Sequence, residues 1–506
     1  MNIKSSKKYL AVDFGASSGK ALVACFDGKS ITMKETYRFD NRPVYVMGQL
    51  YWDILRLFLE LKRSISKTVA VCGSISAIGV DTWGIDFGLL DINGRLMENP
   101  VHYRDKRTES IGSRFFEIIS ENDLYLRTGV QVLEINTLFQ LYSMVLSGSE
   151  PLKNAEKLLM IGDLLNYFLT GKKILEHTGA TTTQLYDQQD DGWDLKIIEL
   201  IGISPDLFLE VVKPGIVIDN IKEDIGAETG CGVIPVCLSA YDTSSEIASI
   251  PVRDEHLNRN WAYFCCGTWA MSGIVAAKPI INEKGLNYGF GNEGGIEGNY
   301  NFLKNIVGLW VIQQCRRKWS KEQGREMEWD HIVKEAIDAD ETDVFIDVNE
   351  EMFNKEIFDM PGAIKRFCSE TSQSAPETIG EYSRCVYQSL VLAFTSSIRQ
   401  LEQITGNKIE IIYMVGGGAR NRLLCQWTAD SLDIPLIACP VETTATGNIL
   451  LQMVATGEAR DMLEAKEILI NSIELDHFEP SGSLSWKDKF EKYLKVLKMR
   501  KDNFDG

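Results

Sequence analysis

The feature that most constrains the fold is a pair of apolar segments near the start of the chain, joined by a glycine- and serine-rich turn. The segments "KYLAVDF" and "ALVACF" are rich in strand-forming residues, and "GASSGK" connects them. A Walker-type phosphate loop needs one more residue before Gly-Lys, then Ser or Thr, and then a helix. Here Lys20 precedes Ala21 and a strand follows, and no G-x-G-x-x-G dinucleotide fingerprint is present at this point. The pattern therefore predicts a β-hairpin whose tip can hold phosphate through backbone amides.

The hairpin pattern occurs a second time in the chain. The segment "NWAYFCCGTWAMSGIVAAK" is again an apolar strand, a small-residue tip at Gly267-Thr268, and another strand. A third segment, "IEIIYMVGGGARNRLL", runs from a strand through Gly416–Gly418 into a helix, whose amino terminus favours anions. Strand and helix signals alternate throughout, which is typical of the α/β class. We predict two similar α/β domains, at residues 1–250 and 251–506, that face each other across a nucleotide cleft, with the boundary region at 250–258.

Composition and charge argue against several classes of partner. The 506 residues carry a net charge of -18, whereas nucleic acids and anionic membranes bind basic surfaces. There is no run of about 18 apolar residues and no secretory leader pattern, so we expect a cytoplasmic protein. The 11 cysteines include no C-x-x-C pair and the 5 histidines form no ligand pattern, so we expect no bound transition metal.

Eight short motifs are spread from residue 11 to residue 424. They are "AVDFGASSGK", "GVDTWGIDFGLLD", "YRDKRT", "NTLFQL", "TTTQLYD", "CGTWAMSG", "LKNIVGLWVIQ" and "VGGGARNRLL". Their order resembles the FGGY family of carbohydrate kinases and, within it, the rhamnulokinase branch. The resemblance implies two ribonuclease H-like domains of the actin, hexokinase and Hsp70 ATPase superfamily, with ATP and Mg²⁺ as cosubstrates. It also implies phosphoryl transfer to the 1-hydroxyl of a 6-deoxyketohexose, L-rhamnulose, giving L-rhamnulose 1-phosphate.

The resemblance also implies roles for individual residues. Asp242 would be the general base, and the sugar would lie at Gly84, at the segment Tyr241–Thr243 and at Asn305. Asp13 would hold Mg²⁺ through water. The residues that we assign to ATP, besides Asp13, are Ala16, Ser17, Ser18, Gly19, Lys20, Thr268, Gln313, Gly417 and Gly418.

The local sequence is compatible with a catalytic carboxylate at Asp242. In "VCLSAYDTSSEIASI", Asp242 follows a strand-like run and precedes a helical one. Phosphoryl transfer needs a group near the attacking hydroxyl that takes its proton, and a carboxylate suits this role. The local sequence by itself equally permits a helix cap, because Asp is favoured at that position.

The segment "DTWGIDF" combines the features of a sugar pocket. Asp81 and Asp86 are hydrogen-bond acceptors, Trp83 supplies an apolar wall, and Gly84 permits close approach of a ligand. Trp83 is equally well explained as a core residue, because tryptophan is usually well buried. Asp81 and Asp86 compete with Asp242 as the proton acceptor. In a regular strand they would point to opposite faces, so at most one of them would reach the sugar.

Three positions depart from the rhamnulokinase pattern. Tyr241 replaces a histidine, Cys265-Cys266 replace two serines, and Lys20 replaces an arginine, which substitutes a point charge for a planar fork. The identity of the sugar therefore stays open. L-fuculose is the nearest alternative, followed by xylulose and ribulose, and a non-catalytic sugar or nucleotide sensor is the second class of function. The sequence predicts no oligomeric state.

Overall fold

The computed structural model describes residues 6–256, 259–354, 359–439, 442–482 and 485–502. The chain divides into two compact units. Unit 1 comprises Met1–Pro251, Val275–Phe302 and Glu442–Ile473, and unit 2 comprises Val252–Ile274, Leu303–Val441 and Glu474–Gly506. The predicted division of the chain into residues 1–250 and 251–506 differs from these units. Two later segments, Val275–Phe302 and Glu442–Ile473, pack with the first half of the chain. Of the expected boundary region, residues 257 and 258 lie outside the described residues.

Strands and helices alternate over the described residues. The strands are β1 (Lys7–Phe14), β2 (Ser18–Phe26), β3 (Ile31–Asp40), β4 (Val44–Val46), β5 (Gln49–Tyr51), β6 (Ala77–Thr82), β7 (Phe87–Leu90), β8 (Lys157–Met160), β9 (Leu175–Glu176), β10 (Tyr186–Asp187), β11 (Gly192–Trp193), β12 (Val211–Val212), β13 (Val217–Asn220), β14 (Pro235–Leu238), β15 (Trp261–Cys266), β16 (Trp269–Ala276), β17 (Gly291–Gly294), β18 (Tyr300–Val307), β19 (Ile411–Val415), β20 (Leu436–Cys439) and β21 (Asp476–Phe478). The helices are α1 (Ile54–Cys72), α2 (Ile111–Phe115), α3 (Glu121–Thr128), α4 (Thr137–Leu146), α5 (Glu150–Asn154), α6 (Ile161–Thr170), α7 (His177–Thr181), α8 (Leu195–Leu200), α9 (Glu223–Thr229), α10 (Asp242–Ala248), α11 (Glu283–Tyr288), α12 (Trp310–Gln323), α13 (Trp329–Asp338), α14 (Glu351–Asn354), α15 (Met360–Glu370), α16 (Ile379–Thr405), α17 (Arg422–Leu432), α18 (Thr443–Ala455), α19 (Met462–Ile470) and α20 (Ser485–Asp502).

Unit 1 is built on a six-stranded sheet with the order β13-β14-β6-β1-β2-β3. β1 and β2 form the predicted hairpin and pair antiparallel. β6 pairs in parallel with both β1 and β14, and β13 pairs antiparallel with β14. The register between β1 and β6 sets Asp13 directly beside Asp81, near the carboxyl ends of both strands. In open α/β sheets this end of the parallel strands is where ligands bind.

The two faces of this sheet carry different cores. Successive residues of a strand point to opposite faces, and in β1 Leu10 and Val12 belong to the core that α1 and α6 cover. Tyr9 and Ala11 belong to the second core, which includes buried side chains of α18. By the same alternation, Asp13 projects toward the α18 face. α18, which lies about 190 residues after the first segment of unit 1 in the sequence, therefore covers the face that carries this carboxylate.

Unit 2 repeats the strand arrangement of unit 1. Five consecutive strands of its seven-stranded sheet follow the order β16-β15-β19-β20-β21. β15 and β16 pair antiparallel, β19 pairs in parallel with β15 and β20, and β21 pairs antiparallel with β20. This order and these directions equal those of β2-β1-β6-β14-β13 in unit 1. The hairpin that the sequence shows twice is thus part of a duplicated sheet topology.

Within the described ranges, no helix combines the length and the apolar character that a membrane crossing requires.

Candidate active site

Asp242 is the first residue of α10, four residues after the end of β14. Its Oδ1 atom accepts a hydrogen bond from the Thr243 amide at 2.7 Å. Over the described part of the chain its Oδ2 atom has no hydrogen-bond partner, and the side chain is partly accessible. The capping position belongs to Tyr241. Asp242 is therefore not the helix cap, and one of its oxygens is available to another group.

Burial is the largest influence on the ionisation of Asp242. It raises the pKa of this carboxyl to about 7, the charge of Asp13 adds to the effect, and the Thr243 amide opposes it. Glu246, one turn further along α10, accepts a hydrogen bond from Thr443 Oγ1 at 2.8 Å, and burial raises its pKa to about 7 as well. A carboxyl whose pKa lies near the working pH is suited to proton transfer.

A charged cluster surrounds Asp13 at the end of β1. Lys20 faces Asp13 across the hairpin, with Nζ 3.3 Å from Asp13 Oδ2 and 2.6 Å from Glu442 Oε2. Burial lowers the pKa of Lys20, but the two carboxylates, Asp13 first, raise it overall. Burial raises the pKa of Asp13, and Lys20 opposes this effect. With two carboxylates and one ammonium, the cluster carries a net charge of about -1.

Asp81 is the neighbour of Asp13 in the sheet, and its ionisation differs. Its Oδ2 atom accepts a hydrogen bond from Asn448 of α18, while Oδ1 is buried without a hydrogen-bond partner. Burial, and then the charge of Asp13, raise the pKa of Asp81 well above its usual value. Because Lys20 contacts Asp13, we expect the proton of this pair to reside on Asp81. A protonated carboxyl is a poor proton acceptor, which favours Asp242 over Asp81 for that role.

The tip of the first hairpin presents free backbone amides. The Gly15 amide donates to the Ser18 carbonyl at 3.0 Å, which closes the turn. For the amides of Ala16 and Ser17, the described chain supplies no hydrogen-bond acceptor. Both residues are at least partly accessible. Two adjacent free amides at a turn are the arrangement that binds phosphate oxygens.

The chain between β6 and β7 is a turn and not a continuous strand. β6 ends at Thr82, and Ile85 has a φ of 63°, an uncommon conformation for a β-branched residue. Thr182 holds this conformation by accepting a hydrogen bond from the Ile85 amide at 3.2 Å. Asp81 and Asp86 therefore do not lie on one regular strand, and the expectation that they point to opposite faces of it does not apply. Strained backbone of this kind concentrates at functional sites.

Asp86 is fully engaged in structural hydrogen bonds. It accepts from Trp52 Nε1 at 2.6 Å, Trp83 Nε1 at 2.9 Å and Gln140 Nε2 at 2.9 Å. Its side chain is fully buried, and burial raises its pKa to about 6 despite these donors. With its oxygens occupied, Asp86 is unsuited to act as the proton acceptor. Its structural role is to hold the rings of Trp52 and Trp83, whose centroids are 4.1 Å apart.

Trp83 and Gly84 line a small cavity at the end of the unit 1 sheet. Trp83 is only 7% exposed, so it is both a packed residue and a wall of the cavity. A Cβ atom on Gly84 would lie 2.9 Å from Thr182 Oγ1, which leaves no room for a side chain. The lining residues are Val80, Asp81, Thr82, Trp83, Gly84, Met160, Gly162, Asp163, Asn166, Glu176, Gly179, Ser239, Ala240 and Tyr241.

Several residues of this region were not predicted from the sequence. Tyr241 donates a hydrogen bond from its hydroxyl to Glu293 Oε2, and burial raises the pKa of Glu293 to about 8. Glu442 and Asn448 contact Lys20 and Asp81, as described above. These residues lie 50 to more than 400 positions from their partners. No local pattern in the sequence marks them, since only the folded chain brings each pair together.

Unit 2 brings together residues that we assigned to ATP. The second hairpin turns at Gly267 and Thr268, and Thr268 Oγ1 donates to Gln313 Oε1 of α12 at 3.1 Å. The glycine segment follows β19 and precedes α17, as predicted, with a short 3-10 turn at Gly417–Arg420. Asn305, expected at the sugar, lies on β18 within unit 2 and is exposed.

Three of the glycines assigned to ATP differ in the space that surrounds them. A Cβ on Gly19 would lie 2.1 Å from the Phe39 ring, and a Cβ on Gly418 would lie 2.5 Å from Cys266 Sγ. Packing alone therefore requires both of these glycines. Gly417 is exposed, and the nearest atom to its added Cβ would be 3.9 Å away. Only Gly417 has space that a ligand can use.

The residues near Asp13 fit a magnesium ion that binds together with phosphates. Carboxylate oxygens are preferred Mg²⁺ ligands, and Mg²⁺ is usually held by one or two carboxylates plus water and substrate phosphates. Asp13 supplies such a carboxylate, and Asp81 beside it, which we expect to be protonated, leaves its Oδ1 atom without a hydrogen-bond partner. Among the described residues, no group of three or more His, Cys, Asp or Glu side chains is placed to hold a metal. A protein-only metal cage is thus not formed there, whereas a site completed by phosphates remains compatible with these side chains.

Comparison with known proteins identifies the family. Residues 8–248 match the N-terminal domain of the FGGY family of carbohydrate kinases, and residues 262–456 match its C-terminal domain. The chain belongs to the FGGY family. FGGY kinases phosphorylate carbohydrates with ATP, and this protein is an ATP-dependent carbohydrate kinase. The fold class and the family predicted from the motifs are therefore confirmed.

Curated relatives and solved structures agree with this membership. A rhamnulokinase from Bacteroides thetaiotaomicron is 35% identical over 95% of this chain and 97% of its own, and one from Oceanobacillus iheyensis is 35% identical over 92% and 97%. The crystal structure of gluconate kinase from Lactobacillus acidophilus has a TM-score of 0.81 at 16% identity and covers 98% of both chains. Ligand-bound xylulose kinase from the same organism has a TM-score of 0.80 at 16% identity, with 97% and 98% coverage. At these identities, the two structures show that the FGGY fold is shared.

Proposed function

We propose that this FGGY kinase transfers the γ-phosphoryl group of ATP to the 1-hydroxyl of a 6-deoxyketohexose, with L-rhamnulose as the substrate. The observation that carries the choice of sugar is the match to proteins named rhamnulokinase over more than nine-tenths of both chains. The neighbours named gluconate and xylulose kinase are only 16% identical and support the fold alone. L-Rhamnulose is therefore preferred over the other ketoses that FGGY kinases could accept.

Asp242 is the general base in this proposal. Its Oδ1 atom is anchored by the Thr243 amide, so Oδ2 is held in a fixed direction and is open to a hydroxyl. The pKa of Asp81 is raised well above its usual value by burial, and Asp86 is saturated by donors, so neither competes effectively. A base contributes by taking the hydroxyl proton as the oxygen attacks phosphorus.

Asp13 and the hairpin amides provide the phosphate side of unit 1 in this proposal. The free amides of Ala16 and Ser17 would bind phosphate oxygens, and Asp13 would hold Mg²⁺ through water. Bound Mg²⁺ would neutralise phosphate charge during transfer. Lys20, tied to two carboxylates, would orient Asp13 rather than move to the phosphates. The acidic cluster by itself repels a polyphosphate, so the proposal requires ATP to be bound as its magnesium complex.

A coupled ADP-release assay tests the proposal. Purified protein is supplied with ATP and Mg²⁺ and with L-rhamnulose, L-fuculose, L-xylulose, D-xylulose, L-ribulose or glycerol. We expect kcat/KM for L-rhamnulose to exceed the other values at least about tenfold, a gap of about 1.4 kcal/mol in transition-state binding. A different sugar in first place would replace L-rhamnulose as substrate. Absence of turnover with every sugar, in folded protein that binds ATP, would refute the proposal and favour a sensor.

A further inference from the structure

Glu293, which contacts the cavity residue Tyr241, has no role in the chemistry described so far. The Tyr241 hydroxyl donates to Glu293 Oε2, and Tyr241 both precedes Asp242 and lines the cavity with Trp83 and Gly84. The tyrosine side chain is 9% exposed, whereas Glu293 is partly accessible. The pair therefore connects the cavity wall to a carboxyl group that solvent or a ligand can reach.

The position of Glu293 is fixed by its backbone. The neighbouring Gly294 amide donates to Thr181 Oγ1 at 2.7 Å, and the Gly294 carbonyl accepts from Ser244 Oγ at 2.7 Å. Ser244 lies two residues after Asp242 on α10, so β17 is attached directly to the helix that begins with the proposed base. A side chain held on two anchored elements keeps a defined orientation, which a specific binding contact requires.

Only one oxygen of Glu293 is used within the protein. Oε2 accepts from Tyr241, and Oε1 meets no hydrogen-bonding group in the described ranges. Burial keeps this carboxyl largely protonated at neutral pH, since its pKa is raised to about 8. A protonated carboxyl whose Oε2 already accepts a hydrogen bond presents its O–H donor at Oε1. An unpaired donor in a sheltered position is costly unless a ligand satisfies it.

We propose that Glu293, oriented by Tyr241, is a specificity-determining residue that forms a hydrogen bond through Oε1 with one hydroxyl of the acceptor sugar. This inference rests on the proposed kinase function, because the acceptor is the sugar that Asp242 activates. A site built to pair with a hydroxyl discriminates strongly against a sugar that lacks it or presents it in the other configuration. The ligand class is a ketose with a hydroxyl of fixed stereochemistry at that carbon.

The test compares kcat and KM for L-rhamnulose and L-fuculose in wild type, Glu293→Ala, Glu293→Gln and Tyr241→Phe. Glu283→Gln, an exposed glutamate at the start of α11, is the matched control. Glu293→Ala should lower kcat/KM for the better ketose at least tenfold, mainly through KM, and should reduce the ratio between the two sugars while the KM for ATP stays constant. Glu293→Gln keeps a donor and an acceptor, so it should retain more discrimination between the two sugars than Glu293→Ala. The discrimination of Tyr241→Phe should lie between that of Glu293→Ala and that of wild type.

Two results would overturn the role of Glu293. One is an equal loss of kcat/KM with both sugars, so that the ratio of the two values stays constant, which indicates a structural role only. The other is an unchanged kcat/KM for both sugars. If wild type turns over no ketose, the proposed function fails by itself. The role of Glu293 is then decided by thermal-shift titration with the same sugars. The role of Glu293 is refuted if wild type and Glu293→Ala have the same half-saturating sugar concentration. It is also refuted if the sugars do not change the unfolding temperature of wild type.

Discussion

Replacing Asp242 with asparagine separates the chemical role of this carboxyl from its effect on stability. Asparagine has nearly the same shape and can still accept the Thr243 amide, so the fold should persist. It cannot take a proton from the attacking hydroxyl. A positioned general base contributes on the order of 10²- to 10⁴-fold, and we expect kcat to fall by that factor in Asp242→Asn.

The same substitution should make the protein more stable at neutral pH. The pKa of Asp242 is raised from 3.8 to about 7 in the folded protein. The unfolded chain loses this proton at lower pH, so wild-type stability falls as the pH rises from about 4 to about 7. A difference of about three pKa units, at about 1.4 kcal/mol each, sets an upper bound of about 4 kcal/mol. Because the side chain is partly accessible, solvent screening should reduce the gain to about 1 to 3 kcal/mol.

Steady-state kinetics and thermal unfolding at pH 5 and pH 8 measure both effects. Asp190→Asn is the control, since Asp190 is exposed and undergoes the same chemical change. Asp242→Asn should be more stable than wild type at pH 8 and should keep less than half of that advantage at pH 5, because wild-type stability falls over the range from about pH 4 to about pH 7. Asp190→Asn should match wild type at both pH values. Wild-type kcat should decline below about pH 7 as Asp242 is protonated. A variant that keeps more than about a tenth of wild-type kcat, or that is less stable at pH 8, would refute the reasoning.

Two further pairs of variants test the proposed phosphate-binding elements. Gly418→Ala should cost about 1 to 3 kcal/mol of unfolding free energy in urea, because its Cβ would lie 2.5 Å from Cys266 Sγ. Gly417→Ala should leave the unfolding midpoint unchanged and raise the KM for ATP, and equal destabilisation by both variants would contradict this distinction. Asp13→Asn should raise the Mg²⁺ concentration needed for half-maximal activity at least tenfold, since it removes a carboxylate beside the phosphate-binding turn. Glu442→Gln removes only the outer partner of Lys20, so a magnesium shift as large as that of Asp13→Asn would argue against a metal role for Asp13.

The elements that depend on neighbours along the chain could be predicted from the amino-acid pattern. The alternation of β1 and β2, the tip that joins them, the second hairpin and the glycine turn before α17 are all present as predicted. These features follow from strand periodicity and turn chemistry over fewer than about 25 residues. The order of the eight motifs then identified the family, and both family domains are found.

The ionisation and the availability of the carboxyl groups depend on contacts that form only in the folded chain. The sequence could not rank Asp81, Asp86 and Asp242, because burial and partners distant in the chain set their differences. Asp86 is saturated by two indoles and an amide, and Asp242 keeps one oxygen without a partner among the described residues. Asp81 accepts a hydrogen bond from Asn448 of α18, and burial raises its pKa well above the usual value. Likewise, Lys20 meets Glu442 across 422 positions. Desolvation and pairing act through space, and sequence spacing therefore does not encode them.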